Sequence, residues 1–334
     1  MTCCSVSVSE VSFDGISEDW LSVVRQRSKT TVFDLLAWQQ VWWQHFGEDK
    51  KKRIFAVRGD DGQLEMLIPL MQDNGTVSFL GGTDLVDYHD VLCPSDPAES
   101  CVEAVIRELS ADPGVQTLLF ESMPTDSRSL ECLESVLVAT GWHVTVEKED
   151  VAPFLQLPGD WEEYVASLRK KDRHELRRKL RRLESSGDIR HVELTSREDV
   201  ETAASDFFEL HRKSTPDKEE FMTPEREQFF RDVSARLADD GITRLAFLEV
   251  EGKRVATSLS FVVDNVRYLY NSGYDPEYRH LAVGLLNHAY TIRNSIEQGH
   301  HIFDFMRGDE AYKYHLGGVD RDVLRIIATR QQTL

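Results

Sequence analysis

The chain has few cysteines, and its five thiols (Cys3, Cys4, Cys93, Cys101 and Cys132) show no CxxC spacing. Their number is odd and all fall in the first half of 334 residues, so neither a zinc site nor a disulfide framework is expected. Histidine offers no metal pattern either. No two of the eleven histidines stand four residues apart, and the adjacent His300 and His301 would point oppositely on a strand. No metal is expected. No apolar run approaches the roughly 18 residues of a membrane span. The N-terminal MTCCSVSVSE has neither the basic stretch nor the apolar core of a secretion signal, so a reduced, cytoplasmic chain is expected. Positive charge is scarce: 39 Lys and Arg face 58 Asp and Glu, a net charge of −19 that argues against DNA and anionic membranes as partners. Hydrophobic content of 41% and charged content of 29% are globular values, and the length allows two domains.

One segment reverses the charge. Residues 169–184, RKKDRHELRRKLRRLE, carry nine Lys and Arg against three acids, or +6, leaving −25 for everything else. Val165, Leu168, Leu176, Leu180 and Leu183 fall at helical spacings, which predicts an amphipathic helix across 161–185 with a basic exposed face. That face either pairs with the acidic body or forms an electropositive wall for a polyanionic ligand, nucleic acid included.

Residues 268–318 carry the densest pattern. An apolar strand runs into a loop with Gly273 and Pro276, Arg279 follows, and a helix opens at Val283-Gly284-Leu285. A strand delivering a loop onto a helix N-terminus leaves backbone N–H groups and the positive end of the helix dipole for an anion such as a pyrophosphate. A second short strand, 301–305, then leads into Arg307-Gly308-Asp309-Glu310. An anion cradle beside carboxylates suggests group transfer from a phosphate-bearing donor.

The layout occurs twice. Residues 55–70 and 75–82 read as two hairpin-linked strands and a third ending in glycine, and residues 247–261 and 266–273 repeat the scheme. Each copy follows an amphipathic helix, at 32–46 and at 224–238. Duplication of an α/β unit with mixed sheets is the economical account, with domains at 1–155 and 156–334. In the first copy, Pro94 and Pro97 delay the following helix and no glycine opens it, so a phosphate cradle is expected only in the second.

These segments resemble the GNAT acyltransferase superfamily, in particular its double-domain branch, the acetyltransferases associated with cellulose biosynthesis (CelD/BcsL, with a BioF-like acetyltransferase domain). The resemblance lies in the basic helix, Phe208-Glu-Leu-His-Arg-Lys213, RLAFLEVEGKRVATSLSF, YNSGYDPEYRHLAVGLL and FDFMRGDEAYKY, and covers most of 160–320. It extends distantly to Fem-type peptidyltransferases, which have two tandem GNAT-like domains. It implies two such domains here, the first degenerate, and acyl-CoA as cosubstrate held by Arg279, Ala282, Val283, Gly284 and Leu285. The superfamily loop is R/Q-x-x-G-x-G/A; Arg279-His-Leu-Ala-Val-Gly284 keeps the arginine and the second glycine, while Ala282 replaces the first.

Acyl transfer by direct attack needs a base for the acceptor, stabilisation of the oxyanion and a proton for the thiolate. Asp304 is either that base or a buried structural carboxylate; Asp309 and Glu310 either join the chemistry or cap the short helix after them. Tyr312 or Tyr314 is the candidate proton donor. Lys313 matches a functional lysine of Fem-type enzymes and implies charge stabilisation. Asn271 and Tyr274, at the strand end, and Tyr88 and Asp90 in the first domain are assigned to the acceptor, although Asp87-Tyr88-His89-Asp90 also reads as a polar turn. Three classes remain open: an acyl-CoA-dependent N- or O-acyltransferase acting on a small molecule, sugar or polysaccharide precursor; a Fem-like peptidyltransferase using aminoacyl-tRNA; and a non-catalytic GNAT-fold binding or assembly protein.

Overall fold

The computed structural model describes residues 6–330 and divides the chain into two units, one running to Val151 and resuming at Arg321, the other Ala152–Asp320. The first unit begins with β1 (Ser7–Val11), β2 (Lys51–Arg58), β3 (Leu64–Asp73), β4 (Thr76–Phe79), β5 (Thr117–Pro124) and β6 (Trp142–Val151). The second contains β7 (Phe154–Gln156), β8 (Ile189–Leu194), β9 (Thr243–Val250), β10 (Lys253–Val263), β11 (Val266–Tyr274) and β12 (Ile302–Asp304). The last strand, β13 (Asp322–Arg330), returns to the first sheet. The sheets are ordered β1-β2-β3-β4-β5-β13-β6 and β7-β12-β11-β10-β9-β8. Both mix parallel and antiparallel pairs, β4 with β5 and β11 with β12 being parallel.

Local chemistry explains the hairpins. Asn74-Gly75, Glu251-Gly252 and Asp264-Asn265 each place both loop residues at positive φ, and each joins strands across two residues. Such mirror-image turns match the right-handed twist of the flanking strands. The duplicated layout is present: helices Leu36–Phe46 and Pro224–Asp239 each precede a three-strand meander, a helix and a parallel strand.

The expected second domain, 156–334, loses its end to the first unit. Val323, Ile326 and Ala328 are buried, and β13 lies antiparallel between β5 and β6, closing a gap that the strands before it leave open. In the first unit the chain beyond β4 folds back onto its own sheet, beside a cavity of about 270 Å³ lined by Gly81, Gly82, His89 and Glu121 among others. Leu92 exchanges backbone hydrogen bonds with Leu67 of β3, and His89 N donates to Ser122 O of β5 at 2.8 Å. Leu85, Val86, Tyr88, Val91 and Leu92 are all at most 3% exposed there.

Cys93, Cys101 and Cys132 are free; Cys3 and Cys4 lie outside the described residues. Burial pushes the Cys93 and Cys101 thiols up to about 12, which keeps them protonated and unreactive at neutral pH. Among the described residues no helix is long and apolar enough to cross a membrane.

Candidate functional site

In the second unit β11 and β12 separate. They pair only at residues 266–268 against 302–304, where β12 ends, while β11 runs on to Tyr274. Met306 and Gly308, both at positive φ, turn the chain away after β12. The 3₁₀ turn Pro276–Leu281 and the helix Val283–Glu297 follow β11 into this gap. A cavity of about 300 Å³ forms there, lined by Lys218, Ser272, Gly273, Tyr274, Arg279, Ala282, Val283, Gly284, Leu285, His288 and Tyr312.

The mouth of the helix lacks a capping side chain. Four other helices of this unit have a capping side chain: Asp160, Ser196, Thr215 and Thr223 accept from the N–H of Glu163, Asp199, Lys218 and Arg226. The helix Val283–Glu297 has Ala282 at its N-cap and no side-chain cap, and its first-turn residues Val283, Gly284 and Leu285, whose N–H groups have no intrahelical partner, line the cavity. Arg279 is exposed, and no hydrogen bond or ion pair of its guanidinium exists among the described residues. Uncapped amides, a helix dipole and an unpaired guanidinium together fit a phosphate or pyrophosphate. Two close approaches set the shape. A Cβ on Gly273 would lie 2.4 Å from the His211 nitrogen, so β11 packs directly on the helix Arg197–Ser214. A Cβ on Gly284 would come within 3.1 Å of the Tyr274 ring.

Ala282 adopts φ 58, ψ 35, the left-handed conformation that glycine takes readily. The departure from the superfamily loop therefore costs backbone strain of roughly 1 kcal/mol. Ala282→Gly is expected to raise the unfolding midpoint of this unit by about 2 °C in scanning calorimetry. A lowered midpoint would show that the Cβ contributes more by packing than the conformation costs.

The expected acid–base residues distribute differently from the sequence assignment. Only Tyr312 lines the cavity, its ring stacked on His288 with centroids 4.8 Å apart. Burial raises its phenol above the usual range, so it is protonated at neutral pH. Asp304 is buried, and its Oδ1 accepts from Met306 N at 2.8 Å, holding the turn after β12. Lys313 is buried and donates to the carbonyls of Met306, Arg307 and Gly308 at 3.0, 2.6 and 3.0 Å. Its three N–H bonds are spent on that loop. Glu310 is exposed, pairs with Lys313 at 2.9 Å, and makes no side-chain cap; Asp309 is exposed. The Tyr314 hydroxyl is pushed up to about 12, first by its hydrogen bond with Asp320. Asp304, Asp309, Glu310 and Lys313 thus hold or flank the turns after β12 and do not line the cavity.

The acceptor assignments separate too. Tyr274 lines the cavity, whereas Asn271 Oδ1 lies 3.1 Å from His211 Nε2. Tyr88 is buried in the first unit under the Arg321 guanidinium, 4.8 Å from its ring centroid. Asp90 accepts from Arg27, Ser127, Ser129 and its neighbour Val91. Both serve the interior of that unit.

Two cavity residues had no sequence signal. Burial pushes the Lys218 ammonium down to about 8, with Glu310 opposing. Burial, helped by the Lys218 and Lys313 charges, brings His288 to about 3, so it is neutral throughout the physiological range. The basic helix Lys170–Glu184 packs through Leu176 and Leu183. Arg177 reaches Glu162, and Arg178 and Lys179 reach Glu175 of their own helix. Lys170, Lys171, Arg173, Arg181 and Arg182 have no acidic partner among the described residues, so pairing with the acidic body accounts for little of this face.

Residues 170–314 match the family described as an acetyltransferase (GNAT) domain. No curated protein matches the chain. Among solved structures, the crystal structure of FemX is similar over 96% of this chain and 96% of that one, with TM-score 0.63 and 13% identity. The C-terminal domain of a putative lysylphosphatidylglycerol synthetase from Agrobacterium fabrum is similar over 96% and 93%, with TM-score 0.60 and 11% identity. A tandem GNAT protein from the clavulanic acid biosynthesis pathway is similar over 98% and 100%, with TM-score 0.52 and 12% identity. The chain has a tandem GNAT-like fold of two mixed sheets.

Proposed function

We propose that the protein is an acyltransferase that takes its acyl group from acyl-CoA in the second unit and passes it directly to an amine or hydroxyl acceptor. The observation that carries this reading is the uncapped N-terminus of Val283–Glu297 with the unpaired Arg279 beside it, opening on a cavity where β11 and β12 part. In this reading Arg279 and the amides at residues 283–285 hold the pyrophosphate. The part of β11 that β12 does not pair guides the pantetheine arm, and Tyr312 returns a proton to the departing thiolate. The resemblance to acetyltransferases of cellulose biosynthesis favours a sugar or polysaccharide precursor as acceptor.

Calorimetric titration tests the donor. Acetyl-CoA is expected to bind at least about 100-fold more tightly than an acetyl thioester of cysteamine, since the shorter molecule forgoes every phosphate contact. Equal affinity would remove the pyrophosphate from the account. A second reading, Fem-like transfer from aminoacyl-tRNA, is favoured by the five cations of the basic helix that have no acidic partner among the described residues. It requires that ribonuclease abolish transfer, whereas the acyl-CoA reading requires indifference to it.

A further inference from the structure

Lys218 belongs to the six-residue helix Pro216–Phe221, which has no buried residue, yet its side chain leaves that surface and crosses to β11. There Nζ donates to the Ser272 carbonyl and lies 3.5 Å from Ser272 Oγ. It has no ion pair among the described residues. The titratable groups that face it are Glu310, which is exposed and held by Lys313, and the buried His288 and His211. The amine thus stands on the cavity wall beside β11, with no ion-paired carboxylate among the described residues to keep it charged.

We propose that Lys218 is an acyl-accepting lysine: with acyl-CoA bound and no other acceptor present, the site acylates its own Nζ. The inference rests on the donor reading above. The Nζ lone pair forms a bond to the thioester carbonyl carbon, and the C–S bond breaks with its electrons leaving on sulfur. The proton lost by nitrogen goes to the thiolate. An amide and free CoA thiol result, with no other reactant consumed. The amide removes the positive charge from the wall and leaves an acyl group beside β11, so the modification closes the cavity to further turnover when thioester is abundant and acceptor scarce.

Reactivity of this kind needs an amine that is partly neutral. With its ammonium lowered to about 8, Lys218 is neutral in roughly one molecule in ten at pH 7, against fewer than about one in a thousand for an ordinary lysine. Its fixed place in the cavity supplies the orientation that a surface lysine lacks.

The test is peptide mapping by mass spectrometry after incubation with acetyl-CoA, alongside calorimetry with CoA. Lys218 is expected to gain an acetyl group at least tenfold faster than the exposed Lys51 and Lys170. The rate should rise about tenfold between pH 7 and pH 9 as the amine deprotonates. Arg279→Glu should erase the preference for Lys218 by preventing donor binding. If CoA binds but Lys218 is modified no faster than the exposed lysines, the inference is overturned and the donor reading stands. If CoA does not bind, both fall together.

Discussion

Gly284→Asp is expected to weaken acetyl-CoA binding by at least about 100-fold while leaving the fold intact. Gly284 is the second residue of Val283–Glu297, on the cavity wall. A carboxylate in the first turn favours the helix itself, because it faces the positive end of the dipole. The steric demand is small: the nearest atom to a new Cβ is Tyr274 Cδ1 at 3.1 Å, on a side chain able to shift by a few tenths of an ångström. Binding suffers twice. The new carboxylate takes the N–H groups that a pyrophosphate would use, and it sets a negative charge against the phosphates. One such repulsion at about 4 Å costs on the order of 4 kcal/mol at a partly exposed site, more than the roughly 2.7 kcal/mol that a 100-fold loss requires. Calorimetry reads the affinity, and circular dichroism and the unfolding midpoint report the fold. Unchanged affinity in a folded variant would show that the donor lies elsewhere.

Acidification is expected to unfold the second unit between pH 6.5 and 4. Four histidines there are held below their ordinary value chiefly by burial: His191, His211 and His300 at about 4 and His288 at about 3. His211, His288 and His300 are at most 7% exposed. These bases fold neutral, and the unfolded chain takes up protons on them near pH 6.5. Their stabilising contribution is complete above pH 6.5 and is lost as pH falls towards the folded values. At pH 5 each buried histidine withdraws on the order of 2 kcal/mol, so the group approaches the whole stability of an ordinary domain. Denaturant titrations at pH 7 and pH 5 measure the loss. His288→Gln, which cannot titrate, should reduce the pH dependence by about a quarter, and an unaltered slope would exclude His288 from it.

Much of the fold was legible because its signals are local. The Asn74-Gly75 hairpin, the continuous apolar runs of β2 and β3, and the strand–loop–helix at 266–297 are written in adjacent residues. The helix mouth at Ala282 to Leu285 was equally readable, since a missing capping side chain is a local fact. Long-range pairing was not. β13 inserts between strands that end some 170 to 200 residues earlier in the chain, and nothing near Asp322 marks that destination. The position of the acidic cluster was hidden for a related reason. Asp309, Glu310 and Lys313 follow Asp304 closely in sequence, but Met306 and Gly308, both at positive φ, redirect the chain between them. Lys218 and His288 escaped notice because PDKEEF reads as a surface helix and a helical histidine among apolar neighbours reads as core. Only the tertiary fold brings both to one wall.

The central claim is that the amides at residues 283–285 hold the phosphates of a CoA thioester. Hydrogen–deuterium exchange on the peptide spanning residues 281–290, with and without saturating acetyl-CoA, tests it most directly. The first-turn amides have no intrahelical partner and exchange quickly without ligand, and the account predicts marked slowing in this peptide when the donor binds. Acetyl-CoA that binds with exchange there unchanged, the slowing falling on another part of the chain, would contradict it.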